Sequence, residues 1–309
     1  MTVKNNSKLL KRILIHKELY LMLIIPIIYI IIFQYIPMLG VQIAFRDYNA
    51  RDGIWGSPWR GMYYFEKFFN SYQFNRVIKN TLTLSIYGLF ASIPVAIILA
   101  LFLNVMRSKK YRKFIQTVTY MPHFISTVVL VGMLMQILNP RTGLVSHLYR
   151  LFAWENTMGI MSNPKAFPHV YVWSGVWKNM GWNSIIYFAA LSSSDPELHE
   201  AMEIDGANRF KRLLYIDIPC IIPTATVLFI LNAGRIMNVG FEKVLIMQNN
   251  INISVSEVIS TYVYKVGIAG ITSNFSYGAA IGLFNSTINF MLLLMVNAIA
   301  KKVGTTSLF

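Results

Sequence analysis

The sequence predicts an all-α membrane protein with six transmembrane helices. Its 309 residues are 55% hydrophobic and only 13% charged, whereas about a quarter of the residues in a soluble domain are charged. Six mainly apolar runs have the length of roughly 20 residues that a helix needs to cross a bilayer. Lys and Arg lie beside these runs, which is typical of topology signals. The formal charge of +15 therefore indicates orientation in a membrane, because nucleic-acid binding would need a basic face on a soluble fold.

Each predicted span is an apolar run bounded by charged or turn-forming residues. The first run follows a basic segment, as in a secretory signal peptide. It is too long for the apolar region of such a peptide, however, and no small-residue cleavage site follows it. We therefore interpret it as a retained helix. The six spans are Leu19–Leu39, Thr81–Met106, Phe114–Leu138, about Pro168–Leu191, about Ile221–Val239 and about Tyr277–Ala300.

The distribution of positive charge predicts which ends face the cytoplasm. With the N-terminus inside, the inner segments carry at least twice the density of Lys and Arg found in the outer segments. Both termini are therefore predicted to be cytoplasmic. No internal repeat or low-complexity linker divides the chain, so we expect a cytoplasmic segment, 1–18, and a single domain, 19–309. The single cysteine, Cys220, excludes an internal disulfide.

Two outer segments are predicted to have structure of their own. The aromatic stretch IWGSPWRGMYYFEKFF, within Gly40–Lys79, suits a helix lying in the membrane interface. The stretch SVSEVISTYVYKVGI, within Gln248–Ser276, has a helical period and is long enough to dip back towards the membrane.

A charged segment separates the fourth and fifth spans, on the predicted cytoplasmic side. Asp195 can cap a first helix that has Pro196 at its first position. Gly206 interrupts the pattern, and a second helix is predicted over Ala207–Tyr215. Pro219 and Pro223 then mark the entry to the fifth span. Taken by pattern alone, the segment of about 192–220 is equally well explained as an ordinary amphipathic connector.

The residues of this segment resemble a known motif. Glu200-Ala201, then Gly206, then nine residues and Ile216-x-Ile218-Pro219 is similar to the EAA loop of bacterial binding-protein-dependent ABC importer permeases. Met202 replaces the second alanine of that motif, and Ile218 replaces its leucine. The surrounding DPELHEAMEIDGANRF is most similar to the sugar-importer branch. Other stretches resemble the subgroup that serves oligosaccharides and polysaccharide fragments, including pectin-type and alginate-type uronates: YIPMLGVQIAF, the NTL at Asn80–Leu82, YMPHFIS at Tyr120–Ser126 and GWNSIIYFAAL at Gly181–Leu191.

The resemblance implies a type I ABC importer permease fold with a cytoplasmic coupling helix between helices 4 and 5. It implies that Glu200, Ala201, Asp205 and Gly206 couple the permease to an ATPase. The partners would be a second permease, for which family precedent favours a different chain, two cytoplasmic ATPase subunits and an extracytoplasmic solute-binding protein. The sequence contains no G-x-x-x-x-G-K-[ST] motif. We therefore expect a non-catalytic subunit without a cofactor, because ATP and Mg²⁺ would be bound by the partner ATPase.

Polar residues within the fourth and fifth spans predict a substrate path, because such residues are costly in a membrane and usually face a cavity. Helical spacing places Lys178 with Trp182, and Arg235 with Asn232 and Asn238, on shared faces. The predicted path residues are Lys178, Trp182, Asn183, Asn232, Arg235 and Asn238. Two cations and a tryptophan would suit an acidic saccharide.

Other interpretations of these residues remain open at this stage. Lys178 could extend to the membrane surface, Trp182 could be a packing residue, and the asparagines could only join helices. Each cation could instead pair with a carboxylate of the partner permease. His123, beside Pro122, is interpreted as part of a local kink and not as a proton relay. Glu242 and Lys243 are placed at the outer interface.

Three other functions are considered. An importer permease for another solute class would share the same motif. A secondary transporter would need more spans or an inverted repeat, and an intramembrane acid for ion coupling. Every acid, with Glu242 as the one open case, lies outside the predicted spans. A membrane enzyme would need clustered carboxylates or histidines, yet the five histidines are scattered along the chain. We therefore predict no catalytic and no metal-binding residue.

Overall fold

The computed structural model describes residues 15–151, 160–270 and 273–302, and its regular elements in these ranges are all helical. Short 3₁₀ or π turns connect several of the α-helices. The α-helices are α1 Lys17–Ile30, α2 Ile36–Met38, α3 Gly53–Gly56, α4 Tyr63–Phe69, α5 Gln73–Val105, α6 Lys109–Tyr120, α7 Thr127–Ile137, α8 Leu144–Leu151, α9 Phe167–Ser192, α10 Pro196–Ile204, α11 Arg209–Arg212, α12 Ile218–Ala233, α13 Phe241–Met247, α14 Ile253–Ser256, α15 Ile259–Tyr264 and α16 Phe275–Lys302.

Four helical stretches in the described residues are long and apolar enough to cross a membrane, and a bent pair would make a fifth. The four are Lys17–Phe45, Gln73–Val105, Arg209–Ala233 and Phe275–Lys302. They contain predicted spans one, two, five and six, apart from a few residues at the ends of two of them. The fourth predicted span is one helix of 26 residues, α9. It is long enough, at about 39 Å, but Lys178, Asn179 and Asn183 make it more polar than the others.

The third predicted span is not a straight helix. The helical stretches Lys109–Phe124 and Thr127–Ile137 meet at an angle of 100°. The turn at Met121–Phe124 is 3₁₀, and Pro122 lies at its start, where it has no N–H to donate. Ser126 then caps α7, because its Oγ accepts a hydrogen bond from the Val129 N–H at 3.3 Å. The sharp bend therefore has a local cause in the sequence YMPHFIS.

The helical core is built around α5 and α9, which pack along much of their lengths. Buried residues from both helices and from α12 form one apolar cluster, which includes Ala96, Tyr187 and Ile221. A second cluster joins α4 to α16 through Tyr64, Phe65 and Phe68. The aromatic stretch predicted to lie in the membrane interface therefore contributes three side chains to the protein core.

The first helix contrasts with this core, because the apolar window of its stretch Lys17–Phe45 has no residue buried inside the chain. Its side chains are exposed up to Leu39. The 3₁₀ turn at its end, Leu39–Phe45, packs on α16.

The fifth span ends earlier than predicted. Helix α12 stops at Ala233, and a turn follows in which the Arg235 N–H donates to the Asn232 carbonyl at 3.0 Å. The sequence had predicted that Arg235 and Asn238 share a helix face with Asn232. They do not, because both lie beyond the end of the helix. Gly234 permits this turn to lie against α16, because an added Cβ would be 2.5 Å from Leu293 Cδ1. The helix therefore ends where the chain lies close to α16, a position that hydropathy did not indicate.

Candidate functional site

Three adjoining cavities lie between α5, α9, α12 and the segment 234–243. Their volumes are about 440, 320 and 90 Å³. Ser92 lines all three, while Gly88 and Tyr171 line the two larger ones. Because they share these lining residues, the three cavities adjoin one another and together form the space described below.

Five of the six predicted path residues line this space. Lys178 and Asn183 line the largest cavity, and Arg235 and Asn238 line the second. Asn232 lines the second and third. The structure therefore brings together residues from two helices and the turn after α12, which is more than a helical repeat could predict.

Trp182 lies apart from these five and is not among the residues that line the cavities. Its ring stacks on His123, with the ring centres 4.5 Å apart and the planes 4° apart. Phe124 meets the same ring edge-on at 6.0 Å. One face of Trp182 is therefore occupied within the chain, although 45% of the residue is exposed. His123 in turn lies at the bend of the third span, and its Nδ1 is 3.0 Å from Asn179 Oδ1. Both residues belong to the kink that the sequence indicated at Pro122.

Two asparagines have partners within the chain. Asn238 Oδ1 accepts hydrogen bonds from Asn285 Nδ2 at 2.9 Å and from Asn289 Nδ2 at 3.1 Å. Asn238 thus joins the turn to α16 as well as lining a cavity. Asn232 Nδ2 donates to the Leu228 carbonyl of its own helix at 2.7 Å.

The cations of the cavities lack negative partners. Within the described parts of the chain, the side chains of Lys178 and Arg235 have neither a hydrogen bond nor an ion pair. Arg235 is exposed and Lys178 is half-buried. A positive charge without a carboxylate partner in a partly enclosed space is available to an anion.

Lys243 is a third cation of this space, and the sequence did not identify it. The predicted position at the outer interface did not indicate a cavity, yet Lys243 lines the largest of the three cavities together with Lys178 and Glu242. Its Nζ donates to the Tyr171 carbonyl at 2.6 Å and lies 4.6 Å from the centre of the Tyr171 ring. Burial, and secondarily the charge of Lys178, lowers the pKa of Lys243 to about 8. A lysine just beyond an apolar run is an ordinary topology signal, so no local pattern distinguished this one.

The charged segment after the fourth span forms the predicted helix–turn–helix. Asp195 caps α10, since its Oδ1 accepts from the Glu197 N–H at 2.9 Å. Gly206 makes the turn with φ of +74°, a left-handed conformation that favours glycine. The second helix starts at Arg209, two residues later than predicted, because Asn208 caps it, and it continues without a break to Ala233.

One side of the charged segment between the fourth and fifth spans is exposed. Glu200, Ala201, Asp205 and Gly206 are all exposed. Two large apolar side chains, Ile204 at 86% and Phe210 at 70%, are exposed beside them. Such a mixture of apolar and charged groups on one short element is typical of a protein-binding surface.

The opposite side of the charged segment contacts the membrane helices. Asp217 is buried, and its Oδ1 accepts from Asn104 Nδ2 at 3.2 Å and lies 3.5 Å from His199 Nε2. Arg212 and Glu203 form a second ion pair at 2.6 Å. These contacts connect α10 to α5 and to the helix that becomes α12. A displacement of α10 would therefore be transmitted to both helices.

The NTL stretch fixes the outer segment to α5. Asn80 Nδ2 donates to the carbonyls of Ser254 and Glu257, each at 3.0 Å. Thr81 Oγ1 accepts from the Ile259 N–H at 3.0 Å. The Glu257 side chain is buried and pairs with Arg76 and, at 3.0 Å, with Lys265. The segment predicted to dip back is thus held against the bundle by a polar network at the outer part of α5.

Comparison with known proteins identifies relatives over nearly the whole chain. Residues 92–305 match the family described as "Binding-protein-dependent transport system inner membrane component". Protein LplB of Bacillus subtilis (strain 168) is 40% identical over 95% of this chain and 91% of its own length. The polygalacturonan/rhamnogalacturonan transport system permease protein YteP of the same organism is 37% identical, over 99% of this chain and 94% of its own.

A solved structure agrees in fold. It is the crystal structure of a bacterial ABC transporter involved in the import of the acidic polysaccharide alginate. One chain of it matches with a TM-score of 0.88 and 37% identity, over 96% of this chain and 99% of that chain. A second solved structure, of a bacterial alginate ABC transporter in complex with an alginate pentasaccharide-bound periplasmic protein, matches with a TM-score of 0.88 and 36% identity over 96% of this chain and 99% of that chain. The predicted permease fold is therefore confirmed.

Proposed function

This chain belongs to the family of binding-protein-dependent transport system inner membrane components, and from that premise we propose that it is the permease subunit of an ATP-driven importer for an acidic oligosaccharide. It would lie in the bacterial cytoplasmic membrane with both termini in the cytoplasm. The observation that carries the proposal is the chemistry of the cavities. Lys178 and Arg235 line adjoining cavities and lack a carboxylate partner in the described residues.

The names of the relatives support the substrate class. One relative is named for polygalacturonan and rhamnogalacturonan transport, and the matching solved transporter imports alginate. All three polysaccharides contain uronate units, each with a carboxylate. Guanidinium and ammonium groups bind carboxylates through charge-assisted hydrogen bonds, which are stronger than neutral ones. The same space could admit a neutral sugar, but its cations would then be left without partners.

The coupling segment supports a separate ATPase. In this proposal two cytoplasmic ATPase subunits bind ATP and Mg²⁺, and one of them binds the exposed surface formed by Glu200, Ala201, Ile204, Asp205 and Phe210, with Gly206 making the turn. A second permease, here a different chain, completes the path, and a solute-binding protein delivers the saccharide. Closure of the ATPases would move α10, and the Asp217 network would carry that motion to α5 and α12.

Reversing the charge at Glu200 tests the coupling surface. We expect Glu200→Lys to lower ATP-driven uptake in proteoliposomes at least about tenfold and to weaken co-purification of the ATPase, because an exposed pair across an interface becomes a repulsion. Glu66→Lys is the control, since Glu66 is an exposed acid on α4 in the outer segment. Unchanged uptake and unchanged co-purification in Glu200→Lys would contradict this role. Uptake driven by an ion gradient, without any ATPase, would contradict the whole proposal.

Removing the charge of Arg235 tests the substrate class. We expect Arg235→Gln to reduce uptake of acidic oligosaccharides by about tenfold, the effect of losing one charge-assisted hydrogen bond of about 1.4 kcal/mol or more. Uptake of neutral oligosaccharides by the same transporter should change less than about twofold. Arg51→Gln, which removes an exposed arginine outside the cavities, serves as the control. An equal loss for both substrate classes, or no loss, would contradict the acidic-substrate proposal.

A further inference from the structure

Lys178 and Lys243 line the same cavity of about 440 Å³, although they come from different elements, α9 and α13. We propose that these two lysines form a binding site for a single carboxylate, the one carried by one uronate unit of the transported saccharide. The inference rests on the proposed function, and it adds a defined subsite to it. It also adds Lys243 as a residue that determines specificity, although Lys243 lies beyond the predicted spans.

The position of Lys243 is fixed by the chain. One of its three N–H groups donates to the Tyr171 carbonyl at 2.6 Å, and the ammonium lies over the Tyr171 ring. The two remaining N–H groups are free to bind a ligand. Gly175 makes room for this arrangement, because an added Cβ there would be 3.3 Å from Lys243 Nζ. The lysine is thus held in place before any ligand binds, which lowers the entropy that binding would cost.

The charge balance of the cavity favours an anion. Lys178 has no hydrogen bond or ion pair in the described residues, and Glu242 is the one acid among the residues lining the cavity. Glu242 forms no ion pair with either lysine within 4 Å. Two ammonium groups that face one space repel each other, and a carboxylate between them would remove that repulsion. Burial is the main cause of the lowered pKa of Lys243, and the charge of Lys178 lowers this pKa further.

A neutral group beside the lysines completes a saccharide site. The Asn183 amide lines the same cavity, and an amide can both donate to and accept from sugar hydroxyls. Arg235 lines the adjoining cavity. A chain of uronate units could therefore place one carboxylate at the lysine pair and another near Arg235.

The test compares two substrates in the complete transporter, with the second permease, the ATPases and one solute-binding protein held constant. The variants are Lys178→Gln, Lys243→Gln and the double variant. The substrates are a uronate oligosaccharide and the same oligosaccharide with its carboxylates reduced to alcohols. Rates are expressed relative to the unsubstituted transporter for each substrate, so that the preference of the solute-binding protein cancels.

We expect each single variant to lower uptake of the uronate oligosaccharide about tenfold, the effect of one lost charged contact. The double variant should be little worse than either single one, because both lysines bind the same carboxylate. Uptake of the reduced oligosaccharide should change less than about twofold, and Lys178→Arg should restore most of the uronate uptake. Lys79→Gln, at an exposed position of α5 outside the cavities, is the matched control.

A second measurement does not depend on transport. Acylation of Lys243 by a small amine-reactive reagent, followed by peptide mass spectrometry, should slow when the uronate oligosaccharide is present. Its rate should stay unchanged with the reduced oligosaccharide. Equal losses for both substrates in the variants, or equal acylation with both, would overturn the subsite. If Arg235→Gln still discriminates between the substrates while the lysine variants do not, the subsite is wrong and the proposed function stands. If none of the three discriminates, the subsite and the acidic-substrate proposal are both wrong.

Discussion

Gly181→Ala is expected to destabilise the folded chain by about 3 kcal/mol or more. At Gly181, α9 crosses the end of α6 so closely that an added Cβ would lie 2.2 Å from the Thr119 carbonyl oxygen and 2.8 Å from Tyr120 Cδ1. The nearest atoms belong to the backbone, so no side-chain rotation can make room. The two helices must separate, and the contacts at the bend of the third span, including the stacking of His123 on Trp182, would be lost.

The measurement is the unfolding midpoint of the purified protein in detergent, together with the amount of protein in the membrane. Gly132→Ala is the matched control, because an added Cβ on α7 would meet nothing within 4 Å. Alanine there should be neutral or slightly stabilising, as alanine favours a helix by up to about 1 kcal/mol over glycine. Equal stability of both variants would show that α6 and α9 are not in close contact in the membrane.

Glu257→Gln is expected to cost about 2–3 kcal/mol of stability. Glu257 is 3% exposed and holds two cations, Arg76 and Lys265. Removing its charge would leave these two cations close together without a counter-charge. Breaking a fully buried ion pair costs about 3–5 kcal/mol, and we expect less here because the two cations are about a third exposed and can be hydrated.

A second, exposed ion pair provides the control. Arg60 and Asp47 form a pair in which both side chains are well exposed, so Arg60→Gln should cost about 0.5 kcal/mol or less. The unfolding midpoint of each variant, measured at two salt concentrations, would separate the cases, because salt screens the exposed pair much more strongly. If the two variants are equally stable, the Glu257 network is not a determinant of the fold.

The membrane helices were predictable because their signal is local. An apolar run of about 20 residues and the charges beside it are readable without knowledge of the rest of the chain. The coupling segment was predictable for the same reason, since Asp195, Pro196 and Gly206 act within a few residues of themselves. The caps and the turn follow from these residue types. Only the start of the second helix was misplaced, because Asn208 was not recognised as its cap.

The site was less predictable, because it depends on contacts between distant segments. Helical spacing placed Arg235 and Asn238 on a face of the fifth span, but that helix ends at Ala233, and Gly234 lies against α16. The same spacing grouped Trp182 with Lys178, yet the 100° bend brings His123 onto the Trp182 ring. The Lys243 side chain lies in the cavity because its Nζ donates to the Tyr171 carbonyl and because Gly175 has no Cβ to crowd it. In each of these three cases, the segments in contact are far apart in the sequence.

Asp217 shows how such an error affects a functional argument. The sequence placed this acid before the fifth span, and the absence of an intramembrane acid counted against a secondary transporter. The structure places Asp217 within the continuous helix Arg209–Ala233, where it is buried. It lies against Asn104 and His199, however, and not along the three adjoining cavities. Its position fits a connection between helices better than it fits an ion-coupling site.

The first helix has a thermodynamic consequence. Because its apolar window is not buried inside the chain, its side chains add almost nothing to the free energy of unfolding measured on the isolated protein. Whatever holds this helix in place comes from the lipids around it and from any subunit that binds it. Stability supplied by a partner depends on the partner's concentration. The isolated chain and the assembled transporter are therefore two different reference states, and the cost of a substitution measured in one is not transferable to the other for this part of the sequence.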